Sequence, residues 1–115
     1  MNNVPKGLRL IVTIVDRKKG RKVVNLFEKL GCIYHHTILG YGTAPIEIFD
    51  YLGFGKIEKD VVLSIADENM VPFMFDALRQ ELDFASPGHG IACSIPIKSV
   101  DSSRALQEIL KKGDK

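Results

Sequence analysis

What most limits the fold of this chain is that its hydrophobic period switches from two to near 3.6 and back, and does so twice. Leu8, Leu10, Val12 and Ile14 alternate with Arg9, Ile11, Thr13 and Val15, as in a strand, and because both sets are partly apolar the strand should be covered on two sides. Val23, Leu26, Phe27 and Leu30 then recur at helical spacing, and Gly31 stands where a C-cap glycine belongs. Ile33 to Leu39 is β-branched and aromatic without a helical stripe, and Gly40-Tyr41-Gly42-Thr43-Ala44-Pro45 ends that second strand. The pattern repeats with the apolar run Val61 to Ala66. Asp67-Glu68-Asn69 supply capping side chains and negative charge for a helix whose first turn tolerates Pro72 and whose stripe is Met70, Phe73, Met74, Ala77, Leu78 and Leu82. Ser86-Pro87-Gly88-His89-Gly90 breaks it, and Ile91, Cys93, Ile95 and Ile97 alternate with Ala92, Ser94 and Pro96. Pro96 cannot donate a ladder hydrogen bond, which places this strand at a sheet edge. Asp101-Ser102-Ser103 should cap a short tail helix carrying Ala105, Leu106, Ile109 and Leu110, closed by Lys111, Lys112 and Gly113.

Two β-α-β halves predict an α+β, ferredoxin-like split β-α-β sandwich (βαββαβ) with both helices on one face and the second and fourth strands at opposite edges, in a single domain over 1–115. The helix-free face is then bare. Ile11 and Val15 are expected on it, and a symmetric homo-oligomer is the simplest cover. The chain is long enough for one core, and 16 Lys+Arg against 14 Asp+Glu leave a net charge of +2, too little by itself to suggest a nucleic-acid partner. Its apolar runs are strand-length, far short of the ~20 residues that cross a bilayer, so direct membrane insertion is not expected. The start, Met-Asn-Asn-Val-Pro-Lys-Gly, shows neither an apolar stretch nor a cleavage pattern, and the expected compartment is the cytoplasm. Cys32 and Cys93 lack Cys-x-x-Cys spacing and fall near opposite edges, so both read as buried or half-buried thiols, not as a bridge or zinc site.

Catalytic motifs are missing, and no enzyme activity is expected. There is no Gly-x-Ser-x-Gly, no His-Glu-x-x-His and no lysine after a phosphate loop; Gly40-Tyr41-Gly42 meets Pro45 where a third glycine would stand. His35 and His36, adjacent on a strand, point to opposite faces and cannot share a metal. His89, set between two glycines, is either solvent-exposed or placed to touch a ligand. Arg17, Lys18, Lys19, Arg21 and Lys22 crowd the start of the first helix against its dipole. They read as a solvated run or as a patch for an anion or an acidic partner surface, which would offset that placement. The segment from Ile46 to Gly55 either packs on the domain or presents its aromatic groups to a partner.

Taken together, Leu8 to Val15 leading into the first helix, Ile38-Leu39-Gly40-Tyr41-Gly42, Val61 to Ala66 with Asp67-Glu68, and Gly88-His89-Gly90-Ile91 resemble the PII-type nitrogen regulatory signalling proteins and their divergent PII-like relatives over about residues 8–100. The resemblance implies a homotrimer with inward-facing sheets and intersubunit clefts for an adenine nucleotide (ADP, AMP or ATP). It implies Gly40, Gly42, Thr43, Gly88, His89 and Gly90 as ligand-binding residues. A loop over 43–59 would bind a regulated enzyme or membrane transporter through Ile48, Phe49, Tyr51 and Phe54. The departures are Ile91 in place of a phosphate-binding lysine, His89 in place of an aspartate, no C-terminal Arg-x-Arg pair, and a shorter loop in which Tyr51 lacks the modification context. Each lost phosphate contact removes about 1.5–3 kcal/mol, which disfavours ATP and leaves ADP or AMP, a different small ligand, or no ligand as the alternatives. The expected function is non-enzymatic PII-like signal transduction, with nitrogen metabolism as the setting the resemblance suggests. The alternatives are a trimer of the divalent-cation-tolerance type, supported only by His35, His36 and His89, an acylphosphatase using Arg17 or Arg21 without the required glycine cradle, and a nucleic-acid binder without interleaved aromatics.

Overall fold

The computed structural model describes residues 2–3, 7–32, 34–41, 58–86, 88–101, 104 and 107–108. Strand β1 is Asn2–Asn3 and β2 is Leu8–Asp16, followed by α1 (Gly20–Lys29), β3 (Tyr34–Tyr41) and β4 (Glu58–Asp67). One 3-10 turn, Glu68–Met70, leads into α2 (Val71–Leu82), then β5 (Ile91–Pro96) and β6 (Ser99–Val100). The main sheet has the order β3-β4-β2-β5 and is antiparallel throughout. The second and last long strands thus lie at the two edges, as the split β-α-β reading and Pro96 require. A separate two-stranded ladder pairs β1 with β6; two-residue strands carry no periodicity, so no pattern in the chain announces them. Of the expected tail helix, Arg104, Gln107 and Glu108 are helical, while Ser102, Ser103, Ala105, Leu106 and residues 109–115 lie outside the described residues. Among the described residues no helix is long and apolar enough to cross a membrane.

The helix signals act as read. Asp67 Oδ1 accepts the Asn69 amide at 3.1 Å, and Pro72 occupies the first turn of α2. After α1 the Gly31 amide bonds the Glu28 carbonyl and the Cys32 amide the Phe27 carbonyl, both at 3.0 Å, with Gly31 at φ +97°. That left-handed position is one glycine occupies without a Cβ clash.

The two faces of the sheet are reversed from the expectation. Ile11, Thr13 and Val15 of β2 and Val62, Ser64 and Ala66 of β4 are buried beneath Val23 and Phe27 of α1 and Met74 and Leu78 of α2. Leu8, Leu10, Val12 and Ile14 instead share the helix-free face. Both faces of β2 are apolar, so alternation alone could not choose between them; the larger Phe27 and Met74 fill their layer against the smaller, β-branched set. Three largely apolar cross-strand rows run over the helix-free face: Tyr34–Ile65–Leu10–Ile95, His36–Leu63–Val12–Cys93 and Ile38–Val61–Ile14–Ile91. Ile38, Ile91 and Ile95 remain 47%, 42% and 46% exposed. Cys32 is buried as expected, whereas Cys93 is exposed on this face, a correction to its reading as a covered thiol.

Candidate functional site

The described residues among the implied ligand contacts fall at one end of the sheet. Gly40 lies near the end of β3, where Tyr41 pairs with Glu58, and Gly88, His89 and Gly90 form the turn into β5, where Ile91 pairs with Ile14. β3 and β5 are opposite edges, three strand spacings of about 4.8 Å apart, so the two glycine positions of one chain stand roughly 14 Å from each other. They share an end but not a pocket wall. Gly42, Thr43 and the loop residues Ile48, Phe49, Tyr51 and Phe54 lie outside the described residues.

Gly40 and Gly90 also have a packing reason. A Cβ at Gly40 would come within 3.3 Å of Val61 Cγ2, and one at Gly90, which has φ +146°, would overlap the Phe84 ring. Gly88 has φ +88°. His89 is exposed, with Nε2 4.0 Å from Asp83 Oδ2. The turn therefore offers backbone amides beside an exposed imidazole, and the following residue, Ile91, lies on the helix-free face in a row with Ile14.

Arg17, which the sequence left within a cationic run, makes several contacts at this end. Arg17 follows β2, and its Nη2 donates to the Gly40 carbonyl at 3.2 Å and its Nε to the Lys59 carbonyl at 3.3 Å. It lies 3.5 Å from Glu58 Oε2 and 3.4 Å from Asp60 Oδ1, its guanidinium sits 5.8 Å from the centre of the Tyr41 ring, and its amide bonds the Glu58 carbonyl. One arginine thus grips the last turn of β3 and the first of β4, the two ends of the segment 42–57. Beside it Lys59 Nζ pairs with Asp16 Oδ1 at 2.6 Å.

Asp60 works from below. Its Oδ2 accepts the amides of Lys18 at 2.8 Å and Gly20 at 3.0 Å, so α1, which has no capping side chain of its own, is capped from across the fold. A Cβ at Gly20 would stand 2.9 Å from that oxygen. The available signal was a lone glycine inside a cationic run and the Glu58-Lys59-Asp60 alternation, which puts both carboxylates on one strand face.

Of the paired histidines, His35 is partly buried and His36 exposed, as adjacent strand positions dictate. His35 Nε2 donates to the Cys32 carbonyl at 2.7 Å, its Nδ1 lies 2.9 Å from Ser64 Oγ, and its ring stacks on Phe27. Both nitrogens are occupied by protein. Among the described residues no three His, Cys, Asp or Glu side chains group to hold a metal ion. Burial pushes the Cys32 thiol up from its usual value, against a smaller opposing backbone hydrogen bond from Tyr34.

No protein-family model matches the sequence. No curated protein matches it either. Solved structures do. A PII-like signalling protein of Thermus thermophilus superposes with a TM-score of 0.63 at 17% identity, over 90% of this chain and 98% of that one. CPII of Thiomonas intermedia, solved with ADP, AMP and acetate, gives 0.61 at 10% identity over 81% and 88%. The GlnK–ATP complex of Bacillus subtilis gives 0.57 at 14% over 79% and 82%. The chain thus has the α+β, ferredoxin-like fold of the PII-like proteins, reached with a sequence that shares fewer than one residue in five with these three.

Proposed function

We propose that this chain is a PII-like regulator that works as a homotrimer, holds an adenine nucleotide between subunits and acts through the loop over 43–59 on a partner enzyme or transporter, without catalysis of its own. The observation that carries this reading is that Gly40 and the 88–90 turn share one end of the sheet but stand at opposite edges, flanking an apolar face whose edge residues Ile38, Ile91 and Ile95 are exposed. Stacking three such faces about an axis brings the β3 edge of one copy to the β5 edge of the next. The seam then joins the two halves of the site. Gly40, Gly42, Thr43, Gly88, His89 and Gly90 line it, and Ile48, Phe49, Tyr51 and Phe54 meet the partner. The rows through Leu10, Val12 and Ile14 favour association because a fully buried Leu or Ile contributes about 1.5–3 kcal/mol. Related folds solved with ADP, AMP or ATP support a nucleotide as the ligand class, and a nitrogen-linked partner follows only from the name given to that fold.

Light scattering should return three times 12.8 kDa. AMP and ADP should raise the melting temperature, since ligand at a hundredfold its Kd adds about 2.7 kcal/mol to the native state. A stable monomer whose melting ignores all three nucleotides would refute the reading. His35, with both nitrogens committed, gives the cation-tolerance alternative no ligand.

A further inference from the structure

A second concavity lies on the helix-bearing face. Between α1 and β3 runs a groove of about 620 Å3, walled by Lys18, Arg21 and Val24 on one side and by Thr37 and Leu39 on the other. Gly40 and the 88–90 turn are not among its walls. His35 and Asp60 reach it too, but both are already engaged. His35 bonds Ser64 and Cys32, and Asp60 accepts two amides through Oδ2 and lies 3.4 Å from Arg17 Nε through Oδ1. Lys18 and Arg21, by contrast, make no ion pair among the described residues. The groove therefore carries two cations without an ion pair among the described residues, one hydroxyl and an apolar flank of Val24 and Leu39, the latter 66% exposed.

We propose that this groove binds a small organic oxyanion, a phosphate or carboxylate on an apolar body, with Arg21 and Lys18 on the anion, Thr37 as a hydroxyl contact and Val24 and Leu39 against the apolar part. Three further features support it. The volume lies within the roughly 300–1,000 Å3 typical of small-molecule sites. Arg21 and Lys22 stand in the first turn of α1 with no acidic residue there, a placement the helix dipole opposes and an anion reverses. Lys18 is held at φ +82°, where glycine would be free of strain, and such strain persists at sites where a particular side chain is needed. Asp60 already occupies the helix amides, so it is the side chains that await the ligand.

The test is titration of the full chain with inorganic phosphate, phenyl phosphate and benzoate, read by amide chemical shifts. Saturable changes at Lys18, Gly20, Arg21, Thr37 and Leu39 are expected, tighter for phenyl phosphate than for phosphate. A preference for benzoate would assign the anion as a carboxylate. Arg21→Ala and Lys18→Ala should each weaken binding about tenfold or more, with Arg21→Lys intermediate and Arg79→Ala without effect; circular dichroism checks that each variant is folded. Shifts that never saturate, that spread equally over Lys98 and other distant cations, or that survive in folded Arg21→Ala would overturn the proposal, as would tighter binding of an oligoglutamate than of any small probe. AMP added to the same sample reads the 88–90 turn independently, so failure there and failure here are separate results.

Discussion

Replacing Arg17 by alanine tests whether the grip on the two strand ends holds the fold or merely decorates it. Its side chain is 23% exposed and the Asp60 side chain 9%, whereas Glu58 is mostly in solvent. The Glu58 contact is thus worth close to nothing. Truncating one partner of a buried pair costs about 3–5 kcal/mol when the other charge is stranded, but Asp60 keeps two amide donors, and the 3.4 Å separation from Arg17 is long. Two lost hydrogen bonds to carbonyls add about 1 kcal/mol each. We expect a net loss of about 2–3 kcal/mol, seen as a lower urea midpoint with unchanged slope, and faster amide exchange at position 17 and at Tyr41. Arg17→Lys should recover less than half, because an ammonium cannot serve Gly40, Lys59 and Asp60 with one planar fork. A folded Arg17→Ala protein within about 0.5 kcal/mol of the parent, with β3–β4 exchange protection intact, would show that Arg17 is a solvated cation after all.

Thr13 Oγ1 is fully buried without a hydrogen-bond partner among the described residues, so Thr13→Val, which removes the stranded hydroxyl at nearly constant shape, should raise stability by about 1 kcal/mol in urea melts. Gly90→Ala should cost about 2 kcal/mol or more by calorimetry, since the new methyl meets the Phe84 ring at a positive φ, and Phe84→Ala should restore part of that loss in the double variant. Lys18→Gly should stabilise by up to about 1 kcal/mol by relieving φ +82°, while weakening the binding of phenyl phosphate, two opposite signs from one change. In native protein a maleimide should label neither thiol at the rate of a free cysteine: Cys32 because it is buried with its thiol raised, so that less thiolate is present at any pH near neutral, and Cys93 because the proposed seam covers it. Rapid, stoichiometric labelling of Cys93 in undissociated protein would leave the helix-free face open.

The architecture was readable because it rests on local signals that agree. Gly31 at a left-handed C-cap, Asp67 over Asn69, Pro72 in a first turn and Pro96 at an edge are each decided within a few residues. The choice of faces was not, because β2 is apolar on both sides and only the distant partners Phe27 and Met74 decide which set they cover. The same limit explains Arg17 and Asp60. Their partners lie 23 to 43 positions away in sequence, and a charge run next to a helix reads as solvated until the strand carrying Glu58 and Asp60 is laid alongside. Gly20 and Gly90 could be read as turn glycines, but the close approaches of Asp60 and Phe84 that require them exist only in the folded chain.

Position 91 shows how packing constrains the ligand. Ile91 occupies the outer row with Ile14, Val61 and Ile38, so a lysine there would place an ammonium at the margin of the face that the proposed trimer buries. An apolar residue at this register favours the seam and removes a phosphate partner in the same step. In the proposed site the turn before it would offer one anionic group its backbone amides, and a triphosphate would need cations from elsewhere. Of the cations at that end, Arg17 and Lys59 are held by Asp60, Glu58 and Asp16, and Lys18 and Arg21 line the separate groove between α1 and β3. If the seam binds a nucleotide, affinity should therefore fall in the order AMP or ADP, then ATP. Ile91→Lys should invert that order while weakening the trimer, and a variant that gained ATP affinity with undiminished assembly would show that residue 91 faces the ligand and not the seam.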